Sequence, residues 1–447
     1  MEYLGKQNYK KQNMKDKKIV IIGGGFAGIN LARKMGGKKG VQLTLVDRNN
    51  YNFFPPLLYQ VATGMLDVSS ISIPFRTLLK GNKNLHFRLG ELEEIFPERN
   101  VIKLSTGELS YDFLVMATGT EANYFGMENI KKNSLPMKNI DDAVKIRNFL
   151  ISQAEKYTYS TDEEEKRKIR NIVISGAGPS GVEVAGMIAE MRGRVLSEIY
   201  PEIKNEPLHL YLVDGAPTVL PPMSEKSQKY TKESLEEMGV TVKLNKLVSD
   251  FKDDKVYFKD GDVIETKTLI WTAGVTAIKF KGLDDEWYGR GSRLIVDQFN
   301  KVENTANIFA IGDACIQMTD PDFPKGHPQL GSVAEQQGIN LAKNLVAIAN
   351  NSLEDLKPFI YNDKGTMAII GKSRAVADLT FPKTTLTGWL AWFAWLFIHL
   401  FLLINYRNRL RTMINWTGAY FGSGQSQGLM VGETRQSKAD EAETKKI

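Results

Sequence analysis

A short apolar, β-branched run ending in clustered glycines occurs twice in this chain, and that duplication constrains the fold more than any other feature. Lys18–Gly28 reads KIVIIGGGFAG and Ile172–Gly181 reads IVISGAGPSG. Both carry the spacing Gly-x-Gly-x-x-Gly: Gly23, Gly25 and Gly28, then Gly176, Gly178 and Gly181. The first glycine permits a tight turn out of a strand, the second lets backbone approach a pyrophosphate, and the third lets helix and strand pack closely. Phosphates then meet unpaired N–H groups and the positive end of a helix dipole. Helical spacing follows each fingerprint, at 29–35 and 182–191, and each unit ends in a second strand closing on an acid. These are VQLTLVD to Asp47 and LHLYLVD to Asp214. Carboxylates there can accept hydrogen bonds from ribose hydroxyls. The expectation is an α/β chain with two Rossmann-like dinucleotide-binding domains.

Two further strand–turn segments sit in equivalent places, YDFLVMATG at 111–119 with Thr118 and Gly119, and TKTLIWTAG at 266–274 with Ala273 and Gly274. Two dinucleotide sites in one chain imply electron transfer between two cofactors. A nicotinamide donates hydride, and FAD is the simplest acceptor, since it passes electrons on singly or as a pair. The late NIFAIGDA places Gly312, Asp313 and Ala314 where a carboxylate and backbone N–H groups suit a flavin's ribityl and pyrophosphate. Taken alone, Asp313 is better read as a turn residue or helix cap. Asp214 lies further from its glycines than the usual ~20 residues, and 199–207 is expected to add a loop. A carboxylate there favours a free 2′-OH, hence NADH over NADPH. Glu183 stands in the first turn of the second fingerprint helix. It is either a favourable acid at a helix N-terminus or a group that handles nicotinamide or protons.

Composition excludes several alternatives. One cysteine, Cys315, rules out an internal disulfide, a CxxC pair and a thiolate cluster. Four scattered histidines leave no His-rich site, so no metal is expected. A net charge of +6 is too mild to argue for nucleic acid. A length of 447 residues suits two to three domains. Residues 1–18 hold six Lys against Glu2 and Asp16, and no apolar signal segment opens the chain. That stretch is a solvated tail, or a weak attraction to an anionic surface worth about 1 kcal/mol per Lys. The charged Tyr157–Arg170 reads as a linker.

Trp389–Ile404 reads WLAWFAWLFIHLFLLI, apolar except for His399. As one helix its sixteen residues span about 24 Å, short of the ~30 Å of bilayer hydrocarbon. Trp389, Trp392 and Trp395 suit a water–lipid interface, and Arg407, Arg409 and Arg411 suit anionic head groups. A monotopic anchor is the favoured reading. A spanning helix and a core or dimer helix stay open.

These segments together resemble the type II NADH dehydrogenases, single-subunit FAD-containing NADH:quinone oxidoreductases. The resemblance covers about 15–425. It is carried by GGGFAG at 23–28, PPLLYQVATG at 55–64, ATG at 117–119 and SGAGPSGVEVAG at 175–186. LVDGAPTVLP at 212–221, WTAGV at 271–275, FAIGDA at 309–314, VAEQQG at 333–338 and the aromatic C-terminal run at 389–416 add to it. The resemblance implies a glutathione-reductase-like arrangement. An FAD-binding domain (18–125 and 280–385) is interrupted by an NADH-binding domain (126–279). A membrane-anchoring region (386–432, meeting lipid through 386–420) and a polar tail (433–447) follow, with the basic tail at 1–17. It implies hydride transfer from NADH to FAD, then two electrons to a membrane quinone, menaquinone or ubiquinone, without proton pumping.

FAD contacts are expected from Gly23, Gly25, Phe26, Ala27, Gly28, Asp47, Thr118, Gly119, Gly312, Asp313 and Ala314. NADH contacts are expected from Gly176, Gly178, Gly181, Glu183, Asp214, Ala273 and Gly274. By analogy Glu183 lies near the nicotinamide and Gln336 near flavin and quinone, as the catalytic pair. The family usually has Ala-Gln where this chain has Gly331-Ser332, which alters the quinone contact at Ser332. Lys364, in YNDKGTMAIIG, resembles another pocket-lining segment. The expected place is the cytoplasmic face of a bacterial inner membrane, with a homodimer through the C-terminal region left open. Sulfide:quinone and disulfide reductases need paired cysteines that this chain lacks. A reductase of a ferredoxin-like protein and a redox-sensing flavoprotein remain the alternatives.

Overall fold

The computed structural model describes residues 16–192, 197–203, 208–421 and 429–430. The basic tail up to residue 15 and the polar tail at 433–447 lie outside the described residues. The chain divides into two compact units. The first comprises Met1–Asn52, Pro74–Thr120 and Ala277–Tyr361; the second comprises Phe53–Ile73, Glu121–Thr276 and Asn362–Ile447.

In the first unit the Lys17–Ile22 strand is central to a five-stranded parallel sheet. The order runs Ile308–Ala310, Phe113–Met116, Lys17–Ile22, Val41–Asp47, Leu85–Leu89. Ile19, Val20, Ile21 and Ile22 are all buried, because both faces of the sheet are covered and no polar alternation is needed. One face carries a three-stranded antiparallel layer, Leu92–Phe96, Val101–Leu104 and Gly107–Ser110. Its Ile95, Ile102 and Leu104 share a core with Val20, Ile22, Val46, Leu114 and Met116. The fingerprint helix Phe26–Met35 packs against the long helix Gly331–Ala349, and a Cβ at Gly338 would lie 2.4 Å from the Ala27 carbonyl oxygen.

The second unit repeats the plan. Its parallel sheet runs Leu135–Pro136, Thr268–Trp271, Asn171–Ser175, His209–Val213, Val240–Lys243. An antiparallel layer, Val248–Lys252, Lys255–Phe258 and Val263–Glu265, again covers one face. Val248, Phe251, Val256 and Phe258 share a core with Val173, Val213, Leu269 and Trp271. The fingerprint helix is Pro179–Met191. The antiparallel strands Thr366–Gly371, Arg374–Leu379 and Thr384–Thr387 lead into helices Gly388–Leu402 and Tyr406–Phe421.

The charged stretch Tyr157–Arg170 is not a linker. It holds the end of helix Ile140–Tyr159 and the whole of Glu163–Arg170, both inside the second unit. Asp162 caps the shorter helix by accepting the Glu164 N–H at 2.9 Å. Tyr157 and Ile169 are buried, while Glu165 pairs with both Lys156 and Lys267. The charges run along a solvated helix face, and two buried residues were too few to show its period. Between helix Pro179–Met191 and strand His209–Val213 the described part, 197–203, holds two short helical turns.

Candidate functional site: two glycine cradles and an apolar helix pair

In the first unit the strand Lys17–Ile22 ends at Gly23, whose φ is +99°. A Cβ there would meet the Ala117 carbonyl oxygen at 2.3 Å, and one at Gly28 would meet the Gly23 oxygen at 1.9 Å. The first and third glycines are therefore sealed by the protein's own backbone. Gly25 differs, because a Cβ there would stand in open space. It is also the N-cap of helix Phe26–Met35, with no side-chain cap bond. An anion has both the room and the donors it requires. Asp47 is oriented beside this turn by the N–H groups of Gly24 at 2.7 Å and Asn49 at 2.8 Å. Burial raises its carboxyl above the ordinary range, and those two donors pull it back.

Gly312-Asp313-Ala314 forms a turn at the same place. A Cβ at Gly312 would lie 3.1 Å from Ala27 Cβ and 3.3 Å from Ala334 Cβ. Thr118 and Gly119 continue the strand that seals Gly23, and both are half-buried. The start of helix Gly331–Ala349 joins this cluster, with Gly331 against the Phe26 ring and no side-chain cap bond at Leu330. Every flavin-side residue expected from the sequence is thus gathered in one unit. The sequence missed Gln337, the neighbour of Gln336. Its buried Oε1 accepts the Gly312 N–H at 2.7 Å and so fixes the turn. Gln336 itself is half-buried in the same helix turn. Ser332 Oγ lies 2.8 Å from Tyr361 OH. Lys364 is exposed and belongs to the second unit.

Cys315 Sγ donates to the Gly312 oxygen at 3.4 Å, and burial pushes the thiol up to about 12. It remains a thiol at neutral pH and has no cysteine partner.

The second unit reproduces the cradle. Gly176 has φ +108° and abuts Ala273 N, and a Cβ at Gly181 would meet the Gly176 oxygen at 1.7 Å. Gly178 faces open space and caps helix Pro179–Met191 without a side-chain bond. Asp214 accepts the N–H groups of Ala177 at 2.6 Å and Ala216 at 2.7 Å. Glu183 is half-buried as a residue, but its carboxyl lies deep among protein atoms. Burial pushes that carboxyl well above the ordinary range, and the Ile369 N–H only partly counters it. One turn on, a Cβ at Gly186 would meet the Ile370 oxygen at 1.5 Å, so helix and strand touch at backbone distance.

The C-terminal helices bury the wrong residues for a water-facing surface. Asn408, Thr412, Trp416 and Tyr420 form the inward stripe of Tyr406–Phe421. Asn408 Nδ2 donates to Ser72 O, Thr412 Oγ1 to Ser70 O and Trp416 Nε1 to Gln60 Oε1. Leu410, Met413 and Ile414 point outward, alongside Trp389, Phe393, Phe397 and Phe401 of Gly388–Leu402. Arg409 is not free for head groups as expected. It donates to the carbonyls of Leu403 at 2.9 Å and Phe401 at 2.6 Å, closing the preceding helix. Among the described residues no helix is long and apolar enough to cross a membrane.

Two dinucleotide cradles on Rossmann-like sheets, with no redox cysteine pair, define a two-nucleotide flavoprotein reductase by class. A family model described as pyridine nucleotide-disulphide oxidoreductase matches residues 17–338, and one described as the NDH2 C-terminal domain matches 364–423. The type II NADH:quinone oxidoreductase NdhA of Mycobacterium tuberculosis is 34% identical over 92% of this chain and 88% of its own. The Haemophilus influenzae type II NADH:quinone oxidoreductase is 30% identical over 86% of this chain and 92% of its own. The solved NDH2 of Plasmodium falciparum in complex with NADH shares the fold at a TM-score of 0.83 and 22% identity. That match covers 92% of this chain and 99% of the other. The chain belongs to the type II NADH:quinone oxidoreductases, FAD-dependent enzymes that oxidise NADH and reduce quinone.

Proposed function

We propose that the first unit's cradle holds FAD and the second's holds NADH, and that quinone is reduced at a membrane surface met by the C-terminal helices. The observation that carries two dinucleotide sites is the repeated open middle glycine, and FAD is assigned to the first because the Gly312–Ala314 turn closes on its fingerprint helix at Ala27. Gly25 and Gly178 each leave space at an uncapped helix N-terminus beside an oriented carboxylate. Gly23, Gly25, Phe26, Ala27 and Gly28 hold the FAD pyrophosphate and Asp47 its ribose, while Thr118, Gly119 and Gly312–Ala314 line the remainder. FAD held by these residues would supply the two-electron redox chemistry that links NADH oxidation to quinone reduction. Gly176, Gly178 and Gly181 hold the NADH phosphates, with Ala273 and Gly274 towards the nicotinamide.

Asp214 accepts from the ribose hydroxyls and repels a 2′-phosphate. Burial favours the protonated form of Glu183, and a protonated carboxyl can donate a hydrogen bond, which an ionised carboxylate cannot. Ser332 and Gln336 of the first unit contact the quinone, with the Ser332–Tyr361 hydroxyl pair doing part of the work of an amide.

The membrane reading rests on the inverted helix Tyr406–Phe421, which buries asparagine and threonine and shows leucine, methionine and isoleucine. Such a surface is satisfied by lipid rather than water. The helix Gly388–Leu402 has 15 residues, about 22 Å, so it lies on or dips into a bilayer and does not span it. On this reading the helices meet the cytoplasmic face of a bacterial inner membrane, where NADH is available.

Anaerobic stopped-flow absorbance at the flavin band tests the assignment. Fast bleaching by NADH and fast recovery by a soluble quinone are expected. Bleaching without recovery would overturn the quinone assignment, and no bleaching would overturn the NADH cradle.

A further inference from the structure

The turn that follows the Thr120–Ala122 strand is tied down except at one residue. Asn123 N–H donates to the Gly274 oxygen at 3.3 Å, and Asn123 O accepts from Trp271 Nε1 at 2.9 Å. Tyr124 stacks on Trp271, with ring centroids 6.2 Å apart and planes 20° from parallel. Asn123 Oδ1 accepts the Phe125 N–H at 2.8 Å, closing an Asx turn that holds Phe125 at φ +50°. The Phe125 ring gains little burial in return, being 63% exposed. Its tip rests on Gly274, where an added Cβ would lie 2.6 Å from Cζ.

A phenylalanine is a poor choice for left-handed backbone, where glycine or asparagine sits without strain. An exposed ring does not repay that strain through burial. Its position offers a reason. Gly274 lies just beyond the C-terminal end of strand Thr268–Trp271, the side of an open α/β sheet where ligands bind. Its neighbour Ala273 abuts Gly176 of the second cradle. The strained, exposed ring therefore stands at the mouth of that cradle, on the far side of strand Asn171–Ser175 from Asp214 and so away from the ribose proposed to meet that carboxylate.

We propose that Phe125 is an NADH-binding residue whose exposed ring packs against the nicotinamide end of the dinucleotide. The proposal rests on the second unit being the NADH site, and the test separates the two. Binding of NAD⁺ and of ADP-ribose, which lacks the nicotinamide, is measured by calorimetry on the full-length holoprotein, together with its thermal midpoint. Phe125→Gly is expected to weaken NAD⁺ about five- to tenfold, the size of one aromatic contact. ADP-ribose affinity stays unchanged, and the thermal midpoint stays the same or rises, because glycine relieves the strain. Phe125→Tyr keeps NAD⁺ affinity near the original.

A lower midpoint with unchanged NAD⁺ affinity would make the ring structural and overturn the proposal. Equal losses for NAD⁺ and ADP-ribose would also overturn it, since the ring would not face the nicotinamide. Asp214→Arg provides the control. If it changes nucleotide selectivity while Phe125→Gly changes nothing, the site stands and the Phe125 proposal falls. If neither variant alters nucleotide binding, both fall.

Discussion

Asp214 is held by two backbone N–H groups, so a ribose bound in the proposed NADH cradle would meet its carboxylate at little further ordering cost. Replacing it with arginine exchanges repulsion of a 2′-phosphate for a charge-assisted, bidentate attraction. Asp214→Arg should raise the NADPH-to-NADH ratio of kcat/KM at least about tenfold, the worth of roughly 1.4 kcal/mol. An unchanged ratio would mean that another group holds the ribose. Gly186 tests a different contact. Alanine in a helix interior is favoured over glycine by about 1 kcal/mol. Here the new Cβ would fall 1.5 Å from the Ile370 oxygen, a backbone atom that cannot rotate away. The clash wins, and Gly186→Ala should destabilise the protein by about 3 kcal/mol, read in chemical denaturation. Part of this chemistry was legible in the sequence, because glycine spacing and an acid ending a strand are local signals. Gln337 and Phe125 were not. One acts through a turn 25 residues away and the other through a backbone angle, and neither leaves a local pattern.

The C-terminal helices show how an element can be legible in type and misread in partner. The apolar run announced the helix Gly388–Leu402, and its tryptophans an interface. Helix Tyr406–Phe421 was hidden, because its inward stripe mixes Asn408 and Thr412 with Trp416 and Tyr420 and its outward face mixes Leu410, Met413 and Ile414 with Arg407 and Arg411, so no soluble-helix pattern shows. The partners of that stripe, Gln60, Ser70 and Ser72, lie more than 300 residues upstream in the PPLLYQVATG region and just after it. That motif was recognisable, but its task as a polar seat for a distant helix was not. Removing residues 386–447 would strip Trp395 and Trp416 from a buried core, so truncation would confound folding with membrane affinity. Surface substitution is cleaner. Leu410→Glu with Ile414→Glu changes two outward residues one turn apart and leaves the inward stripe intact. The double variant should lose most sedimentation with anionic liposomes and keep its thermal midpoint. Undiminished sedimentation would remove this face from the membrane contact.

The two units fold on one plan: a parallel sheet, an antiparallel layer and a glycine turn at an uncapped helix. They diverge in what sits one helical turn past that glycine turn. In the second unit it is Glu183, held beside Ile369 by the close approach at Gly186. That placement has a consequence for the stability of the enzyme as a function of pH. Burial raises the Glu183 carboxyl well above its unfolded-state value. Between those two values the folded protein holds a proton that the unfolded chain has released. Stability then falls as pH rises, by at most about 1.4 kcal/mol per pH unit from this group. Below the ordinary carboxyl range both states are protonated and the effect vanishes; above the raised value it reaches its limit. Glu183→Gln keeps the shape and cannot ionise. The variant's thermal midpoint should therefore gain on the original as pH rises from about 5 towards 8. A difference flat across that range would mean that the carboxyl is already ionised in the fold. Glu183 could not then donate a hydrogen bond to the nicotinamide and would act only as an acceptor.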